Sequence, residues 1–121
     1  MTLIIYGVLI GAAAGLLGSL LGVGGGIIMV PAFVYLLGLE TKVAVTTSMA
    51  VIVVTSISAT LNNATDKVSL IDWRVALATG VAASLAAWFG ADLMKTLSSQ
   101  TLTKLFGMVL ILAGVRALFW K

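Results

Sequence analysis

From Leu3 to Leu39 the chain runs for 37 residues without a charged side chain. As one straight helix at about 1.5 Å per residue it would reach roughly 55 Å. The hydrocarbon core of a bilayer is only about 30 Å thick. The stretch must therefore turn back, break or tilt strongly, and its residues say where. Gly22, Gly24, Gly25 and Gly26 are close together, and Pro31, the sole proline, follows. Glycine lets the backbone leave a helix at least steric cost, and proline removes a further helical N–H. Unwound backbone at membrane depth is tolerated where protein buries it or where it lines a wet cavity. The break is thus a candidate binding site. The amides after it would be the partly positive start of a half-helix, suited to an anion.

The solvent follows from composition. Hydrophobic residues make up 61% of the chain and charged residues 9%, against about 25% charge in a soluble domain. Strand alternation is absent, which argues against a β-barrel. The fold class is all-α: a polytopic helical membrane protein, with a broken or re-entrant first helical hairpin followed by three transmembrane helices. A cell-membrane, multi-pass location is expected. Met1 to Tyr6 lack a basic region and a small-residue cleavage site, so no cleavable signal peptide is expected.

Other chemistries are poorly served. The formal charge of +3 comes from scattered lysines and arginines, too dispersed for a nucleic-acid surface. Cysteine and histidine are absent. No HExxH, Walker, zinc or Ser/His/Asp pattern occurs, and no span carries a carboxylate, lysine or histidine at its centre. Neither catalytic residues, nor a metal site, nor a cofactor is expected; the partners are a small anion, membrane lipid and a second copy.

The predicted spans are Leu3–Leu21, the short Ile27–Leu37, Val43–Leu61, Val75–Ala91 and Thr101 to about Phe119. Gly38 to Lys42 is the first polar turn and Asn62 to Ile71 the longest loop. Asp72 is placed to cap the helix after it, and Trp73 fits an interfacial aromatic belt. Gly7, Gly11, Gly15, Gly18 and Gly22 share one face of the first helix, where small residues admit a neighbouring backbone. In the third span Ser48, Thr55, Ser58 and Asn62 fall within a face roughly 80° wide. Any one hydroxyl there is explained by a bond to its own helix. Four on one face, ending in an amide, could line a polar path. The candidate substrate-binding residues are therefore Gly22, Gly24, Gly25, Gly26 and Ile27, with Pro31 holding the break, and Ser48, Thr55, Ser58 and Asn62 as neutral donors.

The run Gly15-Leu16-Leu17-Gly18-Ser19-Leu20-Leu21-Gly22-Val23-Gly24-Gly25-Gly26, followed by Pro31, resembles the opening signature of the sulfite exporter TauE/SafE family, also called the TSUP transporters. Thr46-Thr47-Ser48 and Val68-Ser69-Leu70-Ile71-Asp72-Trp73-Arg74 look like that family's second half-motif. The terminal helix, with Gly107, Gly114 and Arg116, is similar too. The resemblance implies export or uptake of sulfite or a related organosulfur anion. Typical members look like two such units in tandem, so residues 1–121 read as one membrane-embedded repeat that needs two copies. The expected function is anion transport by a homodimer; the alternative is a structural or accessory membrane subunit. An antiparallel pair is favoured by the loop charges. Lys42, Lys95 and Lys104 on one side balance Lys67, Arg74, Arg116 and Lys121 on the other, so the excess that normally fixes orientation is missing.

Overall fold

The computed structural model describes residues 1–65 and 70–120, and of Leu3 only the backbone. Asp66, Lys67, Val68 and Ser69, part of the expected loop and half-motif, and Lys121 lie outside the described residues. Five helices follow one another: α1 Thr2–Leu21, α2 Gly26–Tyr35, α3 Thr41–Thr65, α4 Trp73–Thr96 and α5 Ser99–Phe119. Four of them, all but α2, are long and apolar enough to cross a membrane.

The long apolar segment breaks where its glycines lie. Gly22 ends α1 with a φ of 68°, and the amides of Gly22 and Val23 both return to the Gly18 carbonyl. This is a glycine-terminated helix end, closed by a left-handed residue. Gly24 and Gly25 also have positive φ, 66° and 78°. Three of the four linking residues thus occupy a region that side chains disfavour. Gly26 then opens α2. Pro31 lies inside α2, not at the break. Helix continues through it, with the Ile27 carbonyl deprived of the proline N–H it would otherwise receive.

The ends of the helices sort into two groups. Glu40 accepts a hydrogen bond from Ser99 Oγ at 2.6 Å, Thr41 and Thr103 hydroxyls meet at 2.9 Å, and Lys42 Nζ donates to the Lys95 carbonyl at 3.1 Å. The start of α3, the end of α4 and the start of α5 are therefore together, and α2 finishes beside them. Helix α1 runs alongside α3 in the same direction: Ile10 joins a core with Phe33 and Ala44, and Gly15 faces Thr55. Chain entry and the Gly38 turn thus share the Glu40 end. Helix α1, about 30 Å long, runs from that end to the break, and α2, about 15 Å long, returns from the break to the same end. This is the broken first hairpin expected, and three helices of membrane-spanning length follow it. The far end holds the close of α3, the start of α4 and the close of α5, where Arg116 stacks over the Trp120 ring at 4.3 Å.

The core sits where α1, α2 and α3 meet. Its buried members are Ile10, Ala14, Met29, Val30, Phe33 and Ala44. Helices α4 and α5 bury no residue fully. Their outer surface is apolar, as lipid or another membrane helix requires. Their starts are nonetheless well made. Asp72 accepts from the Arg74 and Val75 amides at 3.0 and 3.2 Å, and Ser98 accepts from Thr101 at 3.2 Å, each satisfying an N-terminal donor.

Several boundaries differ from expectation. Residues 62–65 are helical, because Asn63 and Thr65 side chains bond back to carbonyls of α3. Helix α4 extends at both ends, and Lys95 in its last turn pairs with Asp92 at 2.8 Å. Helix α2 stops at Tyr35, with Gly38 left-handed three residues on.

Candidate functional site

The break lies at mid-depth. Gly24 and Gly26 both face the side chain of Ile52, where an added Cβ would come within 3.1 and 2.9 Å of it. Ile52 is eleven residues into α3, about 16 Å from the Glu40 end and close to the centre of a 30 Å hydrocarbon slab. The loop is packed tightly on its other side. A Cβ on Gly18 would stand 2.3 Å from the Gly25 nitrogen, and one on Gly25 would stand 2.6 Å from the Ala14 carbonyl oxygen. Gly18 and Gly25 are both buried. Small residues at these positions let α1 and the loop touch backbone to backbone.

The amides that follow are unspent. Among the described residues, the N–H groups of Gly24, Gly25, Gly26 and Ile27 make no hydrogen bond. The Gly25 carbonyl, by contrast, accepts from Ile28 and Met29 at 3.0 and 2.9 Å, which starts the α2 ladder. Four orphan donors are normal at a helix start. At a surface water takes them; here they lie in half-buried backbone at the middle of the membrane, where an unpaired N–H is costly.

A cleft of about 240 Å³ opens between α1 and α3 and reaches this point. Gly15, Gly18, Ser19, Gly22 and Gly24 line one side, and Thr55, Ser56, Ala59, Thr60 and Asn63 the other, with Ile71. A second, more open depression shares Gly15, Ser19, Thr55, Ala59 and Asn63 and adds Ser58 and Asn62. The two form one groove that runs from the break towards the far end of α3.

Of the ten candidate residues the structure brings five to this groove: Gly22, Gly24, Thr55, Ser58 and Asn62. Gly25, Gly26 and Ile27 lie just behind Gly24 and do not line it. Ser48 is buried elsewhere on α3. Pro31 lines a separate apolar cavity between α2, α3 and α5 with Val30, Tyr35, Phe106 and Leu110. Three hydroxyl protons of the stripe are already used: Ser48 donates to Val45 at 2.8 Å, Thr55 to Ile52 at 3.1 Å and Ser58 to Val54 at 3.0 Å. As placed, they offer acceptor lone pairs to the groove, and an anion would have to draw each proton away from its carbonyl. Sequence reasoning missed Ser19 and Thr60. Gly15, Ser19 and Gly22 recur at steps of four and three, the signal by which Ser19 could have been found.

Among the described residues the groove is lined by glycine, hydroxyl and amide groups with aliphatic side chains between them, and by no charged side chain. The sequence profile described as "Sulfite exporter TauE/SafE" matches residues 2–121. The chain belongs to the sulfite exporter TauE/SafE family. A probable membrane transporter protein of Bacillus subtilis, YunE, is 33% identical over 113 residues, covering 93% of this chain and 41% of its own. A probable membrane transporter protein of Methanocaldococcus jannaschii is 32% identical over 110 residues, covering 86% of this chain and 40% of its own. The chain thus spans about two fifths of the length of these relatives. No solved structure gives a significant match. Family membership and four membrane-length helices make this a multi-pass membrane protein, as its composition requires.

Proposed function

We propose that this TauE/SafE chain is a transporter of a small anion, sulfite or a related organosulfur anion, and that two copies make the working unit. The observation that carries the reading is the run of four unpaired amides, Gly24 to Ile27, at the centre of the membrane. Of the four, Gly24 lines the groove, and Gly25, Gly26 and Ile27 follow directly behind it. A helix start presents roughly half a positive charge there. That is enough to favour an anion and too little to trap it, and conduction requires release as well as binding. Asn62 at the groove's outer end carries a side-chain amide that makes no hydrogen bond among the described residues. Thr55 and Ser58 would join by exchanging an internal bond for one to the anion. Among the described residues no charged side chain lines the groove, which fits an uncharged ladder of donors along which an oxyanion can step.

The test is flux. Purified protein in liposomes should release entrapped sulfite faster than protein-free liposomes, and Asn62→Leu should slow it. A folded, fully helical protein that passes no sulfite, sulfonate or thiosulfate above the protein-free rate overturns the reading.

A further inference from the structure

A serine or threonine hydroxyl on a helix can reach a carbonyl three or four residues back, and in lipid, with no water to replace that bond, the hydroxyl takes it. Ser48, Thr55, Ser58, Thr79 and Ser84 all donate to their own helices in this way. Ser19, Ser56 and Thr60 do not. Among the described residues their hydroxyls make no hydrogen bond, and all three line the cleft of about 240 Å³ between α1 and α3. The other serine and threonine hydroxyls without a partner, Thr2 and Thr47, stand in the first turn of α1 and the second turn of α3, close to the membrane surface and its water.

The two α3 members belong to a row of their own. Ser56, Thr60 and Asn63 recur at steps of four and three and span about 60° of the helix at 100° per residue. Thr55, Ser58 and Asn62 make a second row, also about 60° wide, on the neighbouring side. The first row lines the cleft that holds Gly24, and the second lines the more open depression. Ser56 stands one turn, about 6 Å, beyond Ile52, on which Gly24 packs, and Thr60 one turn further. Gly15 faces Thr55, so Ser19, one turn on in the parallel helix, stands near the level of Thr60.

The two rows differ in chemistry. A hydroxyl whose proton is bonded to its own helix shows a solute only lone pairs, which an anion avoids; a free hydroxyl can donate. A hydroxyl left unbonded away from water is costly, so three of them gathered in one cleft point to a polar occupant. We infer that Ser19, Ser56 and Thr60 are the side-chain donors that hold a small oxyanion next to the Gly24 amide, and that Thr55 and Ser58 contribute less because each must first give up an internal bond. This rests on the anion-transport reading above and names the donors within its groove.

The test is sulfite binding to the purified protein by calorimetry. Ser19→Ala, Ser56→Ala and Thr60→Val should each raise Kd about tenfold, the loss of one hydrogen bond to a charged partner. Thr55→Val and Ser58→Ala should raise it less, by about threefold. Ser56→Thr and Thr60→Ser keep the donor and should bind like wild type, as should Ser84→Ala, on α4 and outside the groove. Equal losses across both rows, or larger losses at Thr55 and Ser58, overturn the inference and leave the transport reading standing. A wild-type protein that binds neither sulfite, methanesulfonate nor thiosulfate overturns both. A second readout needs no anion. The chain has no cysteine, so single cysteines report cleanly. Ser19→Cys, Ser56→Cys and Thr60→Cys in membranes should react with a water-soluble methanethiosulfonate reagent far faster than Ser84→Cys, because the reactive thiolate needs water around it. Rates at the three positions no higher than at Ser84 overturn the inference.

Discussion

Replacing Gly18 with alanine tests whether the break is held by backbone contact. An ideal Cβ there would lie 2.3 Å from the Gly25 nitrogen, 2.6 Å from Gly25 Cα and 2.9 Å from the Gly24 carbonyl carbon. All three are backbone atoms, so no rotamer change relieves them. Restoring ordinary contact near 3.5 Å requires the loop and α1 to separate by about 1 Å. Overpacking of this kind costs roughly 1–3 kcal/mol. Alanine in a helix returns up to about 1 kcal/mol relative to glycine. The expected net loss is about 1–2 kcal/mol. Gly7 and Gly11 are the controls, because a Cβ on either meets nothing within 4 Å; alanine there should be neutral or stabilising by up to about 1 kcal/mol. Unfolding in mixed micelles, followed by helical circular dichroism, should rank Gly18→Ala well below both controls. The moved loop also carries the Gly24 to Ile27 amides, so sulfite binding should weaken in the same variant. Equal stability of all three alanine variants would refute the backbone contact and, with it, the reason for the glycine cluster.

Gly22 has open space around it but a φ of 68°, so Gly22→Ala should cost about 1–2 kcal/mol through left-handed backbone alone, with Gly22→Asn closer to wild type in the same titration. Asn62→Leu should weaken sulfite binding by about 1 kcal/mol, the worth of one lost donor, whereas Ser58→Ala should do less because its proton is already held by Val54; equal losses by calorimetry would contradict this ordering. Asp72→Ala removes the cap of α4 and should lower stability by about 1 kcal/mol while leaving sulfite affinity unchanged. Gly25→Leu should fail to give a stable protein, since φ is 78° and the Ala14 carbonyl occupies the Cβ direction; a stable Gly25→Leu protein would show that α1 and the loop are not in contact.

The break was legible because it follows from lengths: 37 uncharged residues exceed a bilayer, and only one place in them is rich in glycine. Its depth was not, since the contact with Ile52 joins residues far apart in sequence. The hydroxyl stripe was found as a face of α3, but a list of Ser and Thr does not tell whether each proton points to its own helix or outward. Pro31 was read as a keeper of the break, yet glycines in left-handed backbone had already made the turn, leaving the proline inside α2. Asn62 to Thr65 read as loop because polar residues mark the membrane boundary, where a helix can continue into water. Ser19 was hidden among glycines of the same face. That α4 buries nothing could not be read from its composition, which is that of any membrane helix.

The central claim is that the amides after the break hold the anion, and they can be watched one by one. The thirteen glycines include three of the four amides, so a protein labelled with ¹⁵N-glycine, in micelles or liposomes, gives a sparse spectrum. Titration with sulfite should shift Gly24, Gly25 and Gly26 along saturable curves with one common midpoint, while Gly80, Gly90 and Gly107 stay still. Saturable shifts confined to other glycines, or none at any sulfite concentration that supports flux, would contradict the account.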